Sequence, residues 1–89
     1  MPEILLTITN KVGLHARPAA LLVQEASKFK SDITVINGDV TADAKSILDI
    51  LMLGANQGSV VTVRAEGPDA PEALLAFQSL HASNFGEKE

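Results

Sequence analysis

The chain has 89 residues, the size of one small domain, and 46% of them are hydrophobic. It contains no cysteine, which excludes disulfides and thiolate metal sites and favours a reducing compartment. Its net charge of −4 argues against a nucleic-acid binder. No signal peptide is visible, and no apolar run approaches the roughly 20 residues of a membrane helix. We therefore expect residues 1–89 to form one cytoplasmic domain.

The first two predicted elements are a strand and a helix. Residues 3–9 alternate between two faces, as a half-buried strand does. After a loop, residues 16–28 carry apolar side chains at helical spacing. Pro18 is compatible with this helix only in its first turn, where the missing N–H has no intrahelical partner. The helix should therefore begin near residue 16, which puts His15 at or next to its N-cap.

Three further strands follow. Asn37-Gly38 between two β-branched runs predicts a hairpin, with strands over residues 32–37 and 39–43 and a type I′ turn. Residues 59–66 alternate in the same way as the first strand. Alternation implies that only one face of the resulting four-stranded antiparallel sheet is covered.

Two more helices complete the chain. Ser46 with Asp49 resembles a shortened capping box, and it opens a short helix that should end near Leu53. Asp69 with Glu72 repeats the pattern and opens the last helix. The order is βαββαβα. Because the helices must cover the buried side of the sheet, the fold class is α+β, an open-faced β-sandwich with three helices on one face.

His15 is the main candidate for chemistry. The first-turn amides of a helix lack intrahelical partners and, with the macrodipole, form an anion site. An imidazole there can act as a nucleophile, since the positive field disfavours its protonated form. The Ala16 amide and the Arg17 guanidinium could then hold phosphoryl oxygens. Spacing alone leaves a solvated loop histidine as the alternative.

The short helix after Ser46 is apolar on nearly every side. Ile50 and Leu53 are expected to face the core, with Ile47 as a further candidate. The remaining side chains would form an exposed patch, which usually marks a partner site. The predicted partner-binding residues are Ala20, Leu21, Gln24, Ile47, Leu48, Leu51 and Met52. The alternative is a deeper core that covers them.

The second histidine, His81, falls on the apolar stripe of the last helix and is interpreted as a structural residue. Two histidines so far apart, in a chain without cysteine, make a metal site improbable. No glycine-rich phosphate loop is present, and no cofactor is expected.

Two segments resemble a known family. Residues 10–20 read NKVGLHARPAA, which is similar to the active-site segment of the HPr family, the histidine-containing phosphocarriers of the bacterial sugar phosphotransferase system. Residues 45–54 read KSILDILMLG, which resembles the family's second signature around a regulatory serine. The predicted element order also agrees, so the resemblance covers nearly the whole chain.

The resemblance implies a carrier rather than an enzyme. Enzyme I, charged from phosphoenolpyruvate, would phosphorylate Nδ1 of His15 with help from Arg17, and the group would pass to the IIA domain of a sugar permease. In many relatives an ATP-dependent HPr kinase/phosphorylase modifies the serine matching Ser46, which slows transfer and signals to a catabolite-control regulator. The family's sheet order, first-fourth-second-third, is also implied. We expect a monomer.

Two positions depart from the family pattern. Val12 stands where many relatives carry a polar residue, so it offers no side-chain hydrogen bond to the phosphohistidine. Asp49 stands where many carry glycine, and its carboxylate would repel a phosphate on Ser46, with Lys45 offsetting part of that repulsion.

The sequence is also compatible with two functions other than sugar transport. One is a regulatory carrier of the nitrogen-related branch (NPr-like), which Asn10-Lys11 favours and Lys45-Ser46-Ile47 disfavours. The other is an interaction module without phosphoryl chemistry.

Overall fold

The structure, a computed structural model, describes residues 2–9, 13–14 and 16–83. His15, residues 10–12 with Val12, and the tail beyond residue 83 lie outside the described residues, and so do the predictions made for them. Seven elements follow one another in the described part of the chain: β1 (Glu3–Thr7), α1 (Ala16–Ala26), β2 (Asp32–Asn37), β3 (Val40–Asp43), α2 (Ile47–Met52), β4 (Val60–Glu66) and α3 (Ala70–Ala82).

The strands form one antiparallel sheet in the order β1-β4-β2-β3. This order confirms the expectation drawn from the family resemblance. The register places Leu5 opposite Thr62, Thr62 opposite Ile36, and Ile36 opposite Thr41, so these four side chains form one row across the sheet. Leu5 is 68% exposed, because that row lies on the uncovered face.

The other face of the sheet carries the core. Leu6, Val63 and Val35 are buried on three adjacent strands. Phe77 of α3 and Leu22 of α1 pack into the same core cluster. Removing such side chains from water stabilises the fold by about 1.5–3 kcal/mol each. No helix in the described ranges is both long and apolar enough to cross a membrane.

Two elements end two residues earlier than predicted. Strand β1 ends at Thr7, although Ile8 continues the pairing irregularly by donating to the Ser59 carbonyl and accepting from Gly58, both at 2.8 Å. Helix α1 ends at Ala26. Beyond it, the N–H of Phe29 donates to the Ala26 carbonyl, three residues earlier, at 3.2 Å. Such tightened last turns are frequent where an α-helix ends.

The hairpin is confirmed, but its predicted turn type is wrong. Asn37 pairs with Val40, so the two central residues of the turn are Gly38 and Asp39. Gly38 has φ +60°. Asp39 does not have a positive φ, because Ala16 is the one described non-glycine residue that does. A positive φ at the first central position alone matches a type II′ turn, which favours glycine there. Strand β3 therefore begins at Val40, one residue later than predicted.

The capping box predicted for α3 is also wrong. Asp69 is the N-cap residue, but its side chain makes no cap hydrogen bond. Its carboxylate instead accepts from Ser31 and Lys30 in the connection between α1 and β2. Pro71 does lie in the first turn of α3, as predicted.

Candidate functional site

The start of α1 has an unusual backbone. Ala16, directly after His15 in the sequence, has φ +39°, and its side chain is exposed. The left-handed region costs an L-residue about 1–2 kcal/mol, so the surroundings must hold it there. Pro18 and Ala19 are buried and fix the first turn against the core. No sequence signal marks this conformation, because alanine is an ordinary helix former.

Arg17 lies in that first turn, with an exposed side chain. Among the described residues its guanidinium makes no ion pair and no hydrogen bond. The N-terminal amides of an eleven-residue helix and a guanidinium are therefore close together in the chain. Both groups attract anions, and the guanidinium can bind two oxygens of a phosphoryl group at once.

The residues just before His15 are held by the connection between α2 and β4. The N–H of Leu14 donates to the Ala55 carbonyl at 2.9 Å, and Leu14 is 1% exposed. Gly13 has φ +64°, and a Cβ there would lie 2.8 Å from the Cα of Asn56. Only glycine permits this close approach of two backbones.

The exposed surface predicted on α2 is present. Ile50 and Leu53 are buried, as expected, while Leu48 and Met52 are 68% and 78% exposed. The alternative of a deeper core is therefore wrong. Helix α1 packs beside α2. We use the name α1–α2 surface for the seven predicted residues Ala20, Leu21, Gln24, Ile47, Leu48, Leu51 and Met52, of which Ala20 and Leu21 are half-buried and the others exposed.

Ser46 is the N-cap of α2, as predicted. Its hydroxyl oxygen accepts from the N–H of Asp49 at 3.3 Å. The second half of the predicted capping box is absent, because the Asp49 carboxylate accepts from the N–H of Asp43 at 3.1 Å. The N–H of Ser46 donates to the Asp43 carbonyl at 3.0 Å. Asp49 therefore ties the start of α2 to the end of β3.

Lys45 does not pair with Asp49. Its Nζ donates to the Phe29 carbonyl at 2.8 Å. The side chains of Lys45 and Asp49 border a depression of about 440 Å³ along β2 and β3, together with Asp32 and Asp43. The described residues contain no group of three or more histidines, cysteines or carboxylates arranged to hold a metal ion.

His81 has a structural partner. Its Nε2 lies 2.6 Å from the Thr7 carbonyl oxygen, and the side chain is half-buried. Because a carbonyl only accepts, Nε2 must carry the proton in this contact. The interpretation of His81 as a structural residue is confirmed, since the contact joins the last turn of α3 to the end of β1.

The fold and the start of α1 define a small open-faced sandwich with an exposed helix N-terminus and an exposed arginine beside an apolar surface. Comparison with known proteins identifies its class. Residues 3–83 match the family model of the phosphotransferase system described as "PTS HPr component phosphorylation site".

Individual relatives agree with this match. The phosphocarrier protein HPr of Cupriavidus necator is 47% identical over 83 residues, which cover 93% of each chain. The crystal structure of HPr-C-His from Thermoanaerobacter tengcongensis is 52% identical, covers 100% of both chains and superposes with a TM-score of 0.95. A structure of the HPr dimer from the same organism is 53% identical, covers 98% of this chain and 100% of that one, and has a TM-score of 0.78. The chain belongs to the HPr family of phosphocarrier proteins.

Proposed function

We propose that this chain accepts a phosphoryl group from phospho-enzyme I on His15 and passes it to the IIA domains of sugar permeases. In the first step the lone pair of Nδ1 attacks phosphorus while the bond from phosphorus to the donor breaks. In the second step an acceptor on the IIA domain attacks, and the bond from phosphorus to Nδ1 breaks. The chain returns unchanged, as a carrier and not an enzyme, and we infer that it works as one domain in the cytoplasm.

The observation that carries this proposal is the exposed guanidinium of Arg17, two positions after His15 in the first turn of α1, which has no bonding partner among the described residues. A helix end stabilises an anion by about 0.3–1 kcal/mol. A charge pair about 4 Å apart adds roughly 1–4 kcal/mol at effective dielectric constants between those of water and a protein surface. Together with the Ala16 amide, these groups would hold the phosphoryl group loosely enough for a partner to remove it.

We propose that both partners dock on the α1–α2 surface. Leu48 and Met52 are the most exposed apolar side chains of α2, and burying each of them would contribute about 1.5–3 kcal/mol. The C-terminal end of α2 leads through Gly54 to Ala55, which bonds to Leu14. A partner on this surface would therefore lie beside the segment that carries His15.

Regulation through Ser46 is a second part of the proposal. An ATP-dependent kinase of the HPr kinase/phosphorylase type would transfer a phosphoryl group to its hydroxyl, and a catabolite-control regulator would read the product. Asp49 opposes this step, because its carboxylate lies in the same helical turn and repels a phosphate. Since Lys45 bonds to Phe29, it offsets less of this repulsion than the sequence suggested.

The direct test is phosphorylation by enzyme I and phosphoenolpyruvate. Wild type should gain one acid-labile phosphate, and His15→Ala should gain none. His81→Gln is the matched control, because it removes the other histidine yet keeps a donor for the Thr7 carbonyl. Equal labelling of His15→Ala and wild type would contradict the assignment of His15. No labelling of wild type would favour the interaction module.

Two further measurements address the branch and the oligomeric state. Rates of transfer to a sugar-type and a nitrogen-type IIA domain separate the two carrier branches, and we expect the sugar type to be faster. Light scattering after gel filtration should give the mass of a monomer. A dimer mass would instead match the relative from Thermoanaerobacter tengcongensis that was solved as a dimer.

A further inference from the structure

The connection between α2 and β4 holds both described ends of the segment that contains residues 10–12. On the C-terminal side, the Ala55 carbonyl accepts from Leu14. On the N-terminal side, the N–H of Gly58 donates to the Ile8 carbonyl at 2.8 Å, and Nε2 of Gln57 donates to the Thr9 carbonyl at 3.1 Å. One neighbouring loop therefore bonds to the chain on both sides of residues 10–12, at Ile8 and Thr9 and at Leu14.

The loop itself is closed by internal bonds. The N–H of Asn56 donates to the Ser59 hydroxyl at 3.1 Å, and the N–H of Ser59 donates back to the Asn56 carbonyl at 2.9 Å. Gly58 has φ +93°, a conformation that L side chains rarely adopt. These features fix the backbone at Gln57, so its exposed side chain reaches Thr9 from a defined position.

We propose that Gln57 is a positioning residue for phosphoryl transfer: its side-chain amide orients the Thr9 carbonyl and thereby the segment that carries His15. This inference rests on the proposed transfer through His15. Thr9 is six positions before His15, while Leu14, which is adjacent to His15, is bonded through its backbone and buried in the core. The bond from Gln57 thus adds a side-chain hydrogen bond on the N-terminal side of residues 10–12. Reaction rates depend steeply on the orientation of the attacking atom.

The test uses two variants and one control in the full chain. Gln57→Ala removes the donor, and Gln57→Glu replaces it with a carboxylate that faces the Thr9 carbonyl oxygen. Gln78→Ala is the control, because Gln78 is an exposed glutamine on α3 whose side chain has no hydrogen bond within the described residues. The measurements are kcat and KM for phosphorylation by enzyme I, with thermal unfolding in parallel.

A positioning role predicts that kcat falls about threefold to tenfold in both Gln57 variants, the range for loss of one hydrogen bond. KM should remain within about twofold of wild type, since docking is unchanged, and the Gln78→Ala control should match wild type. Unchanged kcat would overturn the proposal, and so would a change confined to KM or to the unfolding temperature. If wild type itself gains no phosphate, the proposed function fails and this inference fails with it. Normal labelling of wild type with normal kcat in the variants refutes the inference alone.

Discussion

The carboxylate of Asp69 accepts from both the N–H and the hydroxyl of Ser31, at 2.9 and 2.5 Å. The same hydroxyl oxygen accepts from the N–H of Asp69 at 3.2 Å, and the other carboxylate oxygen accepts from Lys30 at 2.9 Å. Ser31 is buried, and a Cβ on Gly67 would lie 2.7 Å from its Cα. This network joins the start of α3 to the connection between α1 and β2, two parts of the chain separated by 38 positions.

Asp69→Asn should lower the stability of the fold at neutral pH, and the loss should shrink in acid. The Ser31 hydroxyl, followed by the Lys30 N–H, lowers the pKa of Asp69 from 3.8 to about 2. Because the folded state favours the charged form of Asp69, the contribution of this carboxylate to the free energy of unfolding is complete above pH 3.8. It is lost as the pH falls through about 2. Urea unfolding from pH 7 to pH 2 measures it. Asp39→Asn, an exposed turn residue, is the control, and equal pH profiles for the two variants would contradict the role of Asp69.

Gly13→Ala should destabilise the protein more than Gly38→Ala. The two glycines have φ +64° and +60°, so the backbone strain of about 1–2 kcal/mol is shared. A Cβ on Gly13 would meet the Ala55 carbonyl oxygen, whereas a Cβ on Gly38 meets nothing within 4 Å. The difference in free energy of unfolding between the variants therefore isolates the close approach to Ala55. Equal losses would mean that this approach is easily relaxed.

Arg17→Ala should slow phosphorylation of His15 by enzyme I roughly tenfold, which corresponds to about 1.4 kcal/mol. The physical reason is the loss of a charged fork for the phosphoryl oxygens, and Arg17→Lys should recover only part of the rate. Arg64→Ala is the matched control, because Arg64 lies on the uncovered face of the sheet in an ion pair with Glu3. A rate for Arg17→Ala equal to that of the control would exclude a role in transfer.

Leu48→Asp should raise the KM for enzyme I about tenfold or more and leave the unfolding temperature nearly unchanged. Leu48 is 68% exposed, so the substitution costs little in the free protein but places a charge in a docked interface. Leu75→Asp on α3, where leucine is 63% exposed, is the control away from the α1–α2 surface. A KM that rises equally in both variants would show that the effect is general and not local to α2.

Ser46→Asp should slow phosphorylation of His15 without unfolding the domain. Aspartate is a good N-cap residue, so α2 should persist, while the added charge must be desolvated when a partner docks beside it. Ser46→Ala separates the two effects, because it should lower the free energy of unfolding by about 1 kcal/mol and leave the rate unchanged. If Ser46→Asp is phosphorylated as fast as wild type, a negative charge at this position does not regulate transfer.

Local patterns were sufficient for most of the architecture. Alternation located β1 and β4, Pro18 located the start of α1, and Ser46 located the start of α2. Each of these signals acts between residues a few positions apart, where steric and hydrogen-bonding rules depend on spacing alone. The exposure of Leu48 and Met52 followed as well, because a single helix cannot bury every side around one core.

Partners distant in the sequence could not be read from spacing. Asp69 matched a capping pattern, yet its carboxylate accepts from Ser31, 38 positions away, which packing brings within reach. Helix propensity gave no hint of the positive φ of Ala16, which depends on the surrounding fold. The bond from Gln57 to Thr9 spans 48 positions, and only the pairing of β1 with β4 makes it possible. Sequence patterns thus located the elements and singled out His15 as the candidate, whereas packing selected the groups that bond to Ile8, Thr9 and Leu14 on either side of residues 10–12.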